Sequence, residues 1–113
     1  MNFFSIITEA SQEAIQKIEK MENYFTKQGD FKEIYPKEYK MIHHVRRENY
    51  VYNRGGKQWY GVLLILKDKY YKHQAKDLVK IIKDLEIVKD NNAKVERNNL
   101  IIKVLIPESE EIE

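Results

Sequence analysis

Residues 41 to 68 read MIHHVRRENYVYNRGGKQWYGVLLILKD, and this stretch decides the fold. Two runs rich in β-branched and aromatic residues flank Gly55-Gly56. A Gly-Gly pair supplies the two positive φ angles of a tight two-residue turn, so the stretch predicts a long β-hairpin. Alternate residues of a strand point to opposite faces, and an even loop sets even positions of the first strand beside odd positions of the second. One face then carries Ile42, His44, Arg46, Glu48, Tyr50 and Tyr52 with Lys57, Trp59, Gly61, Leu63, Ile65 and Lys67. The other carries His43, Val45, Arg47, Asn49 and Val51 with Gln58, Tyr60, Val62, Leu64 and Leu66. The second face has the continuous Val and Leu stripe and is expected to face the core. The first is expected to be wet and aromatic near the turn, with Tyr52 opposite Trp59 and Tyr50 covering the bare backbone of Gly61.

Outward from the hairpin, the charge distribution is asymmetric. The chain has 113 residues and a net charge of +2. Residues 39 to 73 hold 8 Lys/Arg against 2 Asp/Glu, net +6, whereas residues 1 to 38 and 74 to 113 are each net −2. Three of the four arginines, Arg46, Arg47 and Arg54, fall within nine residues, in a chain that otherwise uses lysine. Arginine offers a planar five-donor fork suited to phosphate and to stacking, so this local preference points to recognition. The plainer reading is a solvated hairpin with ordinary surface charge. There is no cysteine, which removes disulfides, thiol chemistry and cysteine-based metal sites. No apolar run approaches a membrane span, and the first residues lack a basic n-region and a cleavage site, so a cytoplasmic protein is expected.

On the N-terminal side, Phe3, Ile7, Ala10, Ala14, Ile18, Met21 and Phe25 recur at spacings of four and three. That is the stripe of one long amphipathic helix, capped by Asn2 and ended by Gly29 at the left-handed position. Residues 2 to 7 also read as a short strand. Residues 29 to 38 form a connection whose Phe31, Ile34 and Tyr35 are expected to tuck under that helix, and Pro36 can open a short helix running as far as His44. That helix would shorten the first strand.

On the C-terminal side, Asp68 is expected to cap a second helix with the stripe Tyr71, Ala75, Leu78, Ile82 and Leu85, widened by Val79, Ile81 and Val88 and ended by Lys89 to Asn92. Residues 93 to 97 alternate weakly, Asn98-Asn99 is a second tight turn, and Leu100 to Ile106 is an almost wholly apolar strand closed by Pro107. The predicted architecture is a single α+β domain over residues 1 to 107, followed by an acidic tail at 108 to 113. Its antiparallel sheet of three to four strands is built on the central hairpin, with two helices on one face, in the order α-β-β-α-(β)-β. If the first residues are a strand, the order becomes the ferredoxin-like βαββαβ.

The candidate site is the cluster Arg46, Tyr50, Tyr52, Arg54, Lys57 and Trp59. Rings that stack on bases beside cations that track phosphates are the composition of a single-strand nucleic-acid surface. Without recognition, the same rings are a cross-strand aromatic pair that stabilises the hairpin. Metal-free ribonuclease chemistry is a second function class, with His44, Arg46, Tyr50, Tyr52 and Lys57 supplying base, acid and cation. A third is a homodimeric adaptor, because Leu63 and Ile65 on the wet face need cover. His43 and His44 point to opposite faces of a strand and cannot share a metal, so neither a metal nor a cofactor is expected. The expected function is a small accessory protein that binds single-stranded nucleic acid or RNA through the hairpin.

Overall fold

In the computed structural model, which describes residues 12–68 and 73–108, the chain runs α1 (Gln12–Tyr24), α2 (Asp30–Ile34), α3 (Pro36–Tyr39), β1 (Ile42–Arg54), β2 (Lys57–Leu66), α4 (Ala75–Lys83), α5 (Glu86–Asp90), β3 (Lys94–Asn98) and β4 (Ile101–Pro107). The four described strands form one antiparallel sheet in the order β1-β2-β4-β3. The fold is α+β, as the patterning predicts. Because β2 pairs directly with β4, no strand lies between them, and the sheet does not follow the ferredoxin order.

The core lies on one face of this sheet. Tyr60, Val62, Leu64 and Leu66 of β2 and Ile102, Val104 and Ile106 of β4 share a cluster with Ala14, Ile18, Met21 and Phe25 from α1 and its end and with Ala75, Leu78 and Ile82 of α4. The β2 residues are those of the face expected to meet the core, so the parity assignment holds for β2. Arg47, on the same side of β1, spans to α1 through ion pairs with Glu22 at 2.9 Å and Glu19 at 3.9 Å. The turn also forms as expected: Arg54 pairs with Lys57, and Gly55 and Gly56 take φ of 61° and 77°.

Two irregularities in β1 depart from simple parity. Ile42 pairs with Leu66 but His44 pairs with Ile65, so a bulge at His43 rotates Ile42 into the core and leaves His43 exposed. This reverses the expected faces of both residues. The second irregularity lies between Arg47, which pairs with Val62, and Val51, which pairs with Tyr60, so Glu48, Asn49 and Tyr50 stand opposite Gly61 alone. Neither interruption has a glycine or proline to mark it in the sequence of β1.

The first helix stops one residue before the end of its stripe, and the second is broken in two. In α1, Ala14, Ile18 and Met21 are buried as expected, while Phe3, Ile7 and the alternative strand at 2 to 7 lie outside the described residues. The helix does not end on a left-handed Gly29. It stops at Tyr24, where the Thr26 hydroxyl donates to the Asn23 carbonyl at 2.8 Å. Gly29 has φ −92° and ψ 169°, an extended residue that leads into α2. It is glycine for another reason: a β-carbon there would lie 2.2 Å from the carbonyl oxygens of Asn23 and Tyr24. Gly29→Ala should therefore cost about 1 to 3 kcal/mol of stability, as backbone clashes of this kind do, and an unchanged urea midpoint would contradict the account.

Pro36 opens a helix, but only to Tyr39, so β1 starts at Ile42 and keeps its full length. The expected second helix is two. Leu85 takes an extended backbone, φ −64° and ψ 138°, between α4 and α5, and its buried side chain with that of Val88 keeps the stripe on the core. The cap at α4 is Gln74, which makes no side-chain cap bond, and Tyr71 lies outside the described residues. After α5, Asn92 adopts φ 52° and the Ala93 N–H donates to the Val88 carbonyl at 3.0 Å, a left-handed helix end. The β3-β4 turn is Asn99-Leu100, one residue later than expected, since Asn98 pairs with Ile101 and Asn99 holds the positive φ of 57°. Pro107 still pairs with Trp59, and Glu108 returns to β2 by donating its N–H to the Gln58 carbonyl at 2.8 Å.

Candidate nucleic-acid interface

The sheet face away from the core cluster is the one that carries the candidate site. Reading across the strands, Arg46, Leu63, Lys103 and Glu96 form one row, Gly61, Leu105 and Lys94 the next toward the turn, and Tyr52, Trp59 and Pro107 the one beyond it. Arg54 and Lys57 lie at the tip. In a flat sheet, Arg54 on one edge and Glu96 on the other would be about 14 Å apart across the strands and about 20 Å apart along them. That is well beyond the reach of the two side chains, yet the Arg54 guanidinium meets the Glu96 carboxylate through two bonds, at 2.5 and 3.2 Å. The outer half of the hairpin is therefore curled back over the sheet, and the interruption at 48 to 50 is where it bends. An extra residue in one strand bends and over-twists that strand.

Gly61 makes the bend close-packed. A β-carbon on Gly61 would be 3.0 Å from the Glu48 β-carbon and 3.5 Å from Leu105. Glu48 lies over this glycine, and the expected cover by Tyr50 falls on a side chain outside the described residues.

Beneath the curled arm Lys103, Lys94 and Glu96 bind it to the sheet. The Tyr52 hydroxyl donates to the Glu48 carboxylate at 3.1 Å and accepts from the Lys103 ammonium, which is also 3.9 Å from Glu48. The Lys94 ammonium sits 4.9 Å from the centre of the Trp59 ring, and the Trp59 indole N–H donates to the Arg54 carbonyl at 3.3 Å. The Arg54 guanidinium, besides its pair with Glu96, stacks 5.3 Å from the Tyr52 ring centre. Lys103 also approaches that ring, at 4.8 Å.

Of the expected site residues, Tyr52, Arg54, Lys57 and Trp59 come together at the arm, and Arg46 stands two rows farther from the turn. Arg46 is exposed and has no ion-pair partner among the described residues. Trp59 differs from expectation: only 7% of it is exposed, so its ring is packed as well as aromatic. Leu63 is 4% exposed and Leu105 0%, so the apolar strip on this face is covered by the chain itself. Among the described residues Ile34 is the large apolar side chain left exposed. Of the two residues of the expected pairing patch, Leu63 is covered and Ile65 is half-buried.

His44 is exposed and makes no hydrogen bond or ion pair with the Tyr52–Glu48–Lys103 group among the described residues. A general acid and base for phosphodiester cleavage must reach opposite sides of one phosphate. Tyr52, Glu48 and Lys103 instead satisfy one another, an arrangement suited to holding the arm. Among the described residues no group of three or more His, Cys, Asp or Glu side chains is placed to hold a metal ion, and no helix is long and apolar enough to cross a membrane.

No family model, curated protein or solved structure matches this chain.

The hydrogen bond from Arg54 pulls the Glu96 carboxyl below its ordinary value of 4.5, and the same bond raises the Arg54 guanidinium. A carboxylate whose value falls on folding adds stability that is fully present above 4.5 and is lost as the pH drops through the lower folded value. The melting temperature of the parent should therefore exceed that of Glu96→Gln at neutral pH, with the gap closing in acid. A gap that persists after Glu96 is protonated would mean that the pair contributes through shape alone.

Three contributors were not singled out from the sequence: Lys94, Glu96 and Lys103. Lys103 had a signal, since it is the lone cation in the apolar run Leu100 to Ile106. A lysine in such a strand needs a polar partner or a route to water.

Proposed function

We propose that this chain binds single-stranded nucleic acid on the sheet face beneath and around the curled hairpin arm. The observation that carries the reading is the composition of that face. Arg46, Arg54, Lys57, Lys94 and Lys103 stand against Glu48 and Glu96, with Tyr52 and Trp59 set among them, while the described helices pack on the opposite side. Cations that follow a backbone and rings that stack on splayed bases are the two parts that sequence-tolerant single-strand binding requires. A cytoplasmic accessory protein acting on RNA or on exposed DNA strands fits this surface.

The test is salt dependence. Affinity for a labelled single strand, as RNA and as DNA, should fall with salt at a log-log slope of about −2 to −4, the value for roughly three to six phosphates neutralised on a single strand. Arg46→Ala should flatten the slope by about 0.7. Duplex of the same length should bind more weakly, because paired bases cannot be splayed onto a ring. Absence of binding at about 50 mM salt, where phosphate contacts are strong, would remove the reading.

A further inference from the structure

The two groups at the arm best suited to a nucleic-acid strand are both engaged by the edge strand β3. The Arg54 fork, which suits a phosphate, holds the Glu96 carboxylate through two bonds, at 2.5 and 3.2 Å. A carboxylate and a phosphate present similar paired oxygens to a guanidinium. The Trp59 ring, which suits a base, has the Lys94 ammonium 4.9 Å from its centre. Lys94 and Glu96 are alternate residues of β3 and so lie on the same face of the sheet.

We propose that the site is self-occupied: Glu96 stands in the place of a phosphate and Lys94 in the place of a base, and a single strand binds by displacing both. The inference rests on the nucleic-acid reading above. Displacement is inexpensive, because the Arg54 and Glu96 side chains are 44% and 41% exposed and an ion pair so open to water is weak. It is also directional. When Lys94 leaves Trp59 it becomes available to the incoming backbone, whereas Glu96 loses a partner and gains a repelling neighbour. Glu96 is therefore an internal competitor that sets the affinity of the site, and Lys94 is a cover that becomes a contact.

The experiment compares the parent, Glu96→Gln, Arg54→Met, the double variant and Lys94→Ala. Binding of an end-labelled oligonucleotide is followed by anisotropy, and the emission of Trp59, the single tryptophan of the chain, is followed in parallel. Glu96→Gln keeps the shape and removes the charge, and should tighten binding about two- to fivefold, the scale on which a surface ion pair competes. The gain should vanish when Arg54 is also replaced, which is the coupling expected of two groups in contact. In Lys94→Ala free Trp59 should become more accessible to acrylamide, and saturating oligonucleotide should quench its emission in both parent and variant.

Unchanged or weaker binding by Glu96→Gln, with a lowered melting temperature, would overturn self-occupation and leave a structural ion pair. Binding seen by anisotropy while Trp59 emission stays constant would overturn the role given to Lys94 and Trp59. Both results would leave the nucleic-acid reading standing. Failure of parent, Glu96→Gln and Lys94→Ala alike to bind would overturn the inference and that reading together.

Discussion

Phe31→Ala should lower the stability of this domain by about 3 to 5 kcal/mol, the range for removing a large ring from a closed core. Phe31 is fully buried although it belongs to a five-residue helix in a connection. Its ring centre lies 5.1 Å from that of Phe25, 5.3 Å from Tyr35 and 6.1 Å from Tyr24. Three rings thus line the cavity that truncation would leave. A domain of this size has about 5 to 15 kcal/mol in total, so the loss is a large share. Ile34→Ala, three residues away in the same short helix, should change stability by no more than about 0.5 kcal/mol, because Ile34 is 61% exposed. Urea titrations of the two variants make the comparison, and equal losses would contradict the packing described for the connection.

The second large effect is expected at Trp59. Trp59→Ala should cost about 3 to 5 kcal/mol of folding stability, since the ring is buried beneath the arm. It should also release the arm, because the contact with Lys94 and the N–H bond to Arg54 disappear with the ring. Trp59→Phe keeps most of the apolar volume and loses the bond, and should cost less. A ring that only waited at the surface for a base would be replaced at a cost within about 0.5 kcal/mol. Stability curves of the two variants, measured without oligonucleotide, distinguish these cases.

Much of this architecture is legible in the residues. Gly55-Gly56 dictates the turn, the turn dictates that Tyr52 faces Trp59, and the Val and Leu stripe of β2 dictates which side meets the helices. What escapes a one-dimensional reading is the pair of interruptions in β1. A glycine or proline announces a bend through backbone preference, whereas the stretch Glu48-Asn49-Tyr50 holds neither. The partners that complete the site escape for a related reason. Lys103 is 51 residues from Tyr52 and Glu96 is 42 from Arg54, and each contact exists only because β4 pairs with β2 and the arm then folds over. Helix lengths are overestimated because a continuous apolar stripe does not require a continuous helix. Leu85 interrupts α4 and α5 while keeping its side chain in the core.

The bend in β1 also divides the hairpin into two parts that need not open together. Residues 42 to 47 are held by β2 and by helices on the core side, with Arg47 tied to α1. Residues 51 to 58 are held by the turn, by β2 and by the partly exposed contacts to Glu96 and Lys103. Regions with fewer buried apolar contacts open at lower free energy than the global transition. Backbone amides of the arm should therefore exchange with solvent by a local opening that leaves Val62, Leu64 and Val104 protected. The tip of the longest strand would then be the first part of the sheet to breathe, and it would do so without unfolding the domain that carries it.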